Sequence, residues 1–236
     1  MNVAIVLSGG AGTRLGSDIP KQYIRISGKM LITYCLGTLI RHPLIDGVQI
    51  VADHQWQENI LADAREEGLN LHKVLGFSTP GQERQSSIWN ALRDIADDED
   101  RAVDTVLIHD AARPNLSAEM ITQCMTALEG HDGVMPVLPM KDTVYLSKDG
   151  KGVSELLDRS RIFAGQAPEL FLYEKYMQAN EALLPDRIKQ IKGSSEPAIM
   201  AGMDIVMIPG DESNYKITTQ TDLERFKNSM EKSGAE

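Results

Sequence analysis

Residues 3–7 read Val-Ala-Ile-Val-Leu and run directly into Ser8-Gly9-Gly10-Ala11-Gly12-Thr13-Arg14-Leu15-Gly16, with Pro20-Lys21-Gln22 close behind. A short apolar run ending in glycines is a buried strand opening into a turn that can approach a ligand with its backbone. Glycine takes positive φ at little cost, so consecutive N–H groups can face an anion. Arg14 and Lys21 add the fixed charge that a backbone lacks. A P-loop requires G-x-x-x-x-G-K-[ST], and no Lys-Ser or Lys-Thr follows Gly16. The dinucleotide fingerprint G-x-G-x-x-G fits Gly10 and Gly12 but finds its third glycine one residue late. No acidic residue closes a second strand where a ribose would need it, which counts against an NAD-binding oxidoreductase.

Working outward, apolar runs recur at residues 48–52, 103–108, 133–137 and 205–208, with helical periodicity between them. Ile32, Cys35, Leu36, Leu39 and Ile40 make one apolar helix face, and Ile88, Leu92 and Ile95 another. Alternation of this kind predicts an α/β three-layer sandwich around a mostly parallel, Rossmann-like sheet. Ligands of such sheets bind beyond the carboxyl ends of the strands, where the turn after Leu7 and His109-Asp110 after Ile108 both fall. Between residues 139 and 166, an Asp149-Gly150 turn joins two strand-like stretches, a hairpin leaving the domain as an arm. Thr219 with Asp222 reads as a capping box opening a helix whose Leu223, Phe226 and Met230 face the core.

The chain has 236 residues, 42% hydrophobic and 25% charged, which suits a single domain spanning 1–236. Its net charge of −10, from 24 basic and 34 acidic residues, argues against a nucleic acid partner, since that binding rests on a basic surface. A small polyanion remains possible where cations converge, and Arg14, Lys21, Arg84, Arg113, Arg159 and Lys216 are the candidates. Neither a membrane span nor a signal peptide is read at the N-terminus, so a cytoplasmic protein is expected. Cys35 and Cys124 lie on apolar helix faces and are expected as buried thiols. The run Asp97-Asp98-Glu99-Asp100 is expected as a solvated loop.

The loop with its Arg14 and the following Pro20-Lys21-Gln22 resembles the nucleotidyltransferase pattern Gly-x-Gly-x-Arg-(Met/Leu)-Gly then Pro-Lys-Gln. Gly81-Gln82-Glu83-Arg84-Gln85-Ser86-Ser87, His109-Asp110-Ala111-Ala112-Arg113-Pro114, Asp142-Thr143, Asp158-Arg159 and Asn214-Tyr215-Lys216-Ile217-Thr218-Thr219 extend the likeness over nearly the whole chain. Within that group the chain resembles the cytidylyltransferases that act on methylerythritol 4-phosphate (IspD type) and ribitol 5-phosphate (TarI type). The resemblance implies transfer of CMP from CTP to a polyol phosphate with release of pyrophosphate. It implies Arg14 and Lys21 at the transition state, and Leu7, Ser8, Gly9 and Gly10 holding the nucleotide through backbone groups. It further implies Gly81, Gln82, Arg84 and Ser87 reading cytosine and ribose, with Ala111 letting the ribose approach. Asp110 is the candidate ligand for Mg²⁺ or a similar divalent cation bridging the triphosphate. Arg159 on the arm and Lys216 after Asn214 match positions that orient the acceptor phosphate, and Thr143 also lies on the arm. In the family such an arm, here 139–166, interlocks a homodimer and serves the neighbouring site. Arg113 suits either phosphate recognition or a salt bridge to a nearby loop. His109 reads as a strand-end histidine with a satisfied hydrogen bond.

Departures fall on the acceptor side. Ser8-Gly9-Gly10 looks closer to the Ala-Gly-Gly of ribitol-type enzymes than to Ala-Ala-Gly. The usual Gln-Thr-Pro-Gln stands here as Gln166-Ala167-Pro168-Glu169, and the downstream Thr-Asp pair is replaced within Lys192-Gly193-Ser194-Ser195-Glu196-Pro197. A different sugar or alcohol phosphate as acceptor, or a noncatalytic nucleotide-binding protein, therefore stays open at this point.

Overall fold

A computed structural model describes residues 1–10, 19–98 and 102–233. In chain order these form β1 (Asn2–Leu7), β2 (Arg25–Ile26), β3 (Lys29–Met30), α1 (Leu31–Arg41), β4 (Gly47–Val51), α2 (His54–Glu66), β5 (Val74–Ser78) and α3 (Arg84–Ala96). Then come β6 (Thr105–Asp110), α4 (Ala118–Ala127), β7 (Gly133–Pro139), β8 (Val144–Leu146), β9 (Glu155–Leu157), β10 (Phe163–Gly165), β11 (Glu169–Leu172), α5 (Tyr173–Glu181), α6 (Glu196–Met200), β12 (Ile205–Pro209) and α7 (Gln220–Ser233).

One eight-stranded sheet runs β10-β7-β11-β6-β1-β4-β5, with β12 pairing β7. The pairs β6-β1, β1-β4, β4-β5 and β12-β7 are parallel, while β11 lies antiparallel between β6 and β7. Strand side chains alternate between faces, and β1 obeys this. Ala4 and Val6 join a core with Ile32, Leu36, Leu39, Ile60 and Ile121 from α1, α2 and α4. Val3 and Ile5 join the opposite core with Ile88, Leu92, Ile95, Tyr176 and Ala198 from α3, α5 and α6. Three layers follow, as the periodicity predicts. Three strands of this sheet lay outside that reading: β5, which Gly76 interrupts, β11, whose first residue is the buried Glu169, and β10, which falls within the expected arm 139–166 but pairs antiparallel with β7 in the main sheet.

Local chemistry sets the element ends that matter for the site. The buried Asp63 of α2 accepts from the Met30 N–H (2.9 Å) and from the Thr33 hydroxyl, capping α1 from a neighbouring helix, and pairs with Arg25 at 2.8 Å. At α7, the Thr219 hydroxyl accepts from Asp222 N–H (3.2 Å) and the Asp222 carboxylate accepts from Thr219 N–H (2.8 Å), so the expected capping box forms. Leu223 and Phe226 then pack with Ile26, Leu31 and Ile217 in a small third core that ties α7 to the segment carrying Lys216.

The hairpin forms as β8 and β9, antiparallel and separate from the main sheet. Asp149 closes its turn by accepting from Lys151 N–H and Gly152 N–H, both at 2.9 Å, and Gly150 takes φ 73°. Cys35 and Cys124 are buried and free, and burial pushes both thiols up to about 12. Asp97 is exposed, while Glu99 and Asp100 lie outside the described residues. Among the described residues, no helix is long and apolar enough to cross a membrane.

Candidate active site

Parallel register sets the site. Leu7 at the end of β1 lies opposite Asp110 at the end of β6 and Val51 at the end of β4, and the Leu7 carbonyl accepts from Ala111 N–H at 3.0 Å. The turns leaving β1 and β6 therefore emerge side by side. A cleft of about 520 Å³ opens above them, lined by Leu7, Ser8, Gly9, Gly10, Lys21, Gly81, Gln82, Arg84, Ser87, Asp110 and Lys216 of the expected residues. Gln22, Glu83, Ala112 and Thr218 line it as well. Arg14 belongs to 11–18, outside the described residues. Thr143 and Arg159 stand on the arm, exposed, with the Arg159 guanidinium donating to the Lys141 carbonyl at 2.6 Å.

Asp110 is the electrostatic centre. Arg84 donates to its Oδ1 at 3.1 Å, Lys216 to its Oδ2 at 3.0 Å, and Arg113 Nε stands 3.7 Å from Oδ2. Burial alone would raise this carboxyl, but Arg84, then Lys216 and Arg113, outweigh it and hold it well below the usual carboxylate range. Three cations from three separate segments thus share one counter-ion. Such a carboxylate fixes their positions, and an incoming polyanion finds cations already placed.

The same geometry bears on Mg²⁺. Asp110 is one carboxylate whose oxygens already face cations, and among the described residues no group of three or more His, Cys, Asp or Glu side chains converges. Mg²⁺ demands a near-octahedral shell of oxygens, and a carboxylate ringed by Arg84, Lys216 and Arg113 does not fit the role of its resident ligand.

Several expected side chains have structural work. Arg113 donates to the Asn214 carbonyl at 2.7 Å, so of its two readings the geometry supports the bridge to a neighbouring loop. Gln166 holds the same loop, donating to the Asp211 carbonyl (2.8 Å) and accepting from Asp211 N–H (2.9 Å), while Asn214 donates to the Ala167 carbonyl at 2.8 Å. This clasp sets where Lys216 begins. The Ser87 hydroxyl accepts from Gly81 N–H at 2.9 Å and donates to the Glu83 carbonyl at 3.2 Å, which closes the 81–87 turn. A Cβ on Gly81 would lie 2.5 Å from Ser86 Cβ and 2.8 Å from Ser87 N, so only glycine permits that closure. Ala111 is buried in the core, and Ala112 is the alanine that reaches the cleft.

His109 is fully buried, its Nε2 3.0 Å from the Arg113 carbonyl, as the strand-end reading expects. Burial lowers it to about 4, so it is neutral at pH 7. The unfolded chain takes up this proton below about pH 6.5 and the folded one only near 4, so stability falls as pH drops through that window. At pH 5 the loss is about 2 kcal/mol, or roughly 4–8 °C in Tm. Melting wild type and His109→Gln at pH 7.5 and pH 5 checks this; an equal acid shift in both removes His109 as its source.

A parallel sheet with glycine turns and clustered cations at its carboxyl edge is the architecture of nucleotide-handling α/β proteins. The chain belongs to the IspD family, whose model, described as 2-C-methyl-D-erythritol 4-phosphate cytidylyltransferase, matches residues 2–232. It is 34% identical over 226 residues to a bifunctional enzyme IspD/IspF of Paramagnetospirillum magneticum, an alignment covering 95% of this chain and 56% of that protein. The chain thus spans about half the length of such bifunctional relatives. A ribitol-5-phosphate cytidylyltransferase of Lacticaseibacillus paracasei is 29% identical over 231 residues, covering 96% of this chain and 97% of that one. The solved structure of 4-diphosphocytidyl-2C-methyl-D-erythritol synthase from Anaerococcus prevotii superposes with a TM-score of 0.81 at 25% identity, over 98% of this chain and 96% of the other.

Proposed function

We propose that this chain is a single cytidylyltransferase domain that transfers CMP from CTP to a polyol phosphate of the methylerythritol or ribitol type, giving a CDP-polyol and pyrophosphate. The observation that carries the reading is the convergence of Lys21, Arg84 and Lys216 on one cleft at the ends of β1 and β6. In this reaction an acceptor phosphate oxygen attacks the α-phosphorus in line and pyrophosphate leaves. The nucleophile is already an anion, so no general base is required, in keeping with a His109 that is buried and neutral. What the protein supplies is alignment of two polyanions and stabilisation of the charge growing on the α-phosphate and leaving group.

Lys21, with Arg14, is assigned to that growing charge. Gly9 and Gly10 offer backbone N–H groups, the 81–87 turn reads the base and ribose, and Lys216 meets the acceptor phosphate. Asp110 acts as the counter-ion that spaces Arg84 and Lys216 before substrate arrives.

The arm supports a homodimer. Tyr145, Leu146, Val153 and Leu156 expose 56%, 44%, 70% and 63% of their surfaces on it, an apolar area that a second copy would cover. Thr143 and Arg159 would then serve the neighbour's cleft. A strictly monomeric mass at working concentration overturns the shared site.

The acceptor is tested by a pyrophosphate-release assay with CTP against methylerythritol 4-phosphate, ribitol 5-phosphate and related alcohol phosphates. Release with one of them is expected. No release with any alcohol phosphate, despite CTP binding, favours the noncatalytic alternative.

A further inference from the structure

We infer that Gln22 is a positioning residue that makes the glycine turn after β1 compatible with a polyanion, by withdrawing the Ser8 and Gly10 carbonyl oxygens and leaving the Gly9 and Gly10 N–H groups. This deepens the proposed reading and rests on it.

The polar groups of Ser8 and the Gly10 carbonyl are each engaged. The Ser8 N–H and Ser8 hydroxyl both donate to the Val51 carbonyl, at 2.9 and 2.6 Å, so both are spent on β4. The Ser8 carbonyl accepts from Gln22 Nε2 at 2.5 Å and from the Tyr23 hydroxyl at 2.9 Å. The Gly10 carbonyl accepts from Gln22 Nε2 at 2.8 Å. Among the described residues, neither the Gly9 N–H nor the Gly10 N–H has a hydrogen-bond partner. One amide group therefore occupies two carbonyls of the turn, and two adjacent donors are left beside the cleft that Gly9 and Gly10 line.

Peptide geometry makes this a sorting device. In a trans peptide the C=O of one residue and the N–H of the next point in opposite directions. Tying the Ser8 carbonyl back to Gln22 and Tyr23 turns the Gly9 N–H away from those two side chains. A free carbonyl facing a triphosphate would repel it, whereas a free N–H attracts it. The clamp is stiff on both sides. Gln22 is 3% exposed, Tyr23 stacks on Trp56 with ring centroids 4.4 Å apart, and a Cβ on Gly9 would lie 2.5 Å from Pro80 Cβ. Gln22 also follows Lys21 in the turn Lys21–Tyr23, so the same residue ties the lysine's backbone to the glycine turn.

The test is calorimetric titration of the purified protein with CTP, inorganic triphosphate and cytidine, for wild type, Gln22→Ala, Gln22→Glu and Tyr23→Phe. Gln22→Ala is expected to weaken CTP and triphosphate by about tenfold, the order expected from losing two such hydrogen bonds, with cytidine unchanged. Gln22→Glu sets a carboxylate against two carbonyl oxygens and should weaken the phosphates further. Tyr23→Phe keeps the stack on Trp56, removes one donor to Ser8, and should show a smaller loss of the same kind. A purely structural role would lower Tm and weaken cytidine in parallel, and that pattern overturns the inference. Unchanged CTP affinity in Gln22→Ala and Tyr23→Phe also overturns it while leaving the nucleotide reading intact. Failure of wild type to bind CTP overturns both.

Discussion

Lys21→Ala is expected to lower kcat by about 10²-fold or more while the KM for CTP changes little. Ground-state CTP already carries its phosphate charge, so a cation that merely held the triphosphate would show its loss in KM. A cation aimed at charge that grows only as the α-phosphorus accepts the fifth oxygen shows its loss in kcat. Lys21 lines the cleft along with Gly10, and Arg84, held by Asp110, lines it as well, so the described site keeps a cation for binding CTP when Lys21 is lost. Lys21→Arg should fail to restore the rate, because a planar fork does not replace a compact ammonium at a tight phosphate contact. Lys216→Ala forms the contrast: the acceptor's phosphate is charged in ground and transition states alike, so the acceptor KM should rise. Steady-state kinetics with both substrates varied separates the two. If Lys21→Ala keeps most of its kcat, the chemical step relies on other charges.

The sheet was legible wherever a buried strand is uniformly apolar. Val3 to Val6 and Val106 to Ile108 face helices on both sides, so nothing polar interrupts them and their glycine and His-Asp endings mark the ligand edge. β11 was not legible because it opens with Glu169, a residue that belongs on a surface by composition. In the fold it is buried and accepts from the Ser194 hydroxyl, a partner 25 positions away that no local pattern reveals. The desolvated carboxyl is raised accordingly. The site divides the same way. Glycine turns and cations announce themselves, but the employment of a side chain depends on long-range geometry. Ser87 spends its hydroxyl on the 81–87 turn, Arg113 spends its guanidinium on the 214 loop, and Gln22 carries two loop carbonyls that its motif does not advertise. Arg159 and Thr143 are further removed, since their proposed use needs a second subunit.

CTP is expected to exceed UTP in kcat/KM by about 10³- to 10⁴-fold. The two nucleotides share sugar and triphosphate, so every cation in the cleft binds them equally and contributes nothing to the choice. Discrimination has to arise where the exocyclic amine of cytosine, a donor, is replaced by the carbonyl of uracil, an acceptor. A flexible surface would adapt and lose little. The 81–87 turn cannot adapt: Gly81 N–H is held by the Ser87 hydroxyl, that hydroxyl is held by the Glu83 carbonyl, and Gly81 packs against Ser86 with no room for a Cβ. A rigid acceptor that meets uracil's oxygen stays unpaired, and an unpaired group in a built polar site costs several kcal/mol. Gly81→Ala, by forcing the turn open, should reduce the CTP preference along with the rate, whereas Lys21→Ala should reduce the rate and leave the preference standing. Competition between the two nucleotides in one pyrophosphate-release assay measures the ratio directly. Comparable turnover of UTP would place base recognition outside the 81–87 turn, because a fixed hydrogen-bonding surface cannot serve a donor and an acceptor equally.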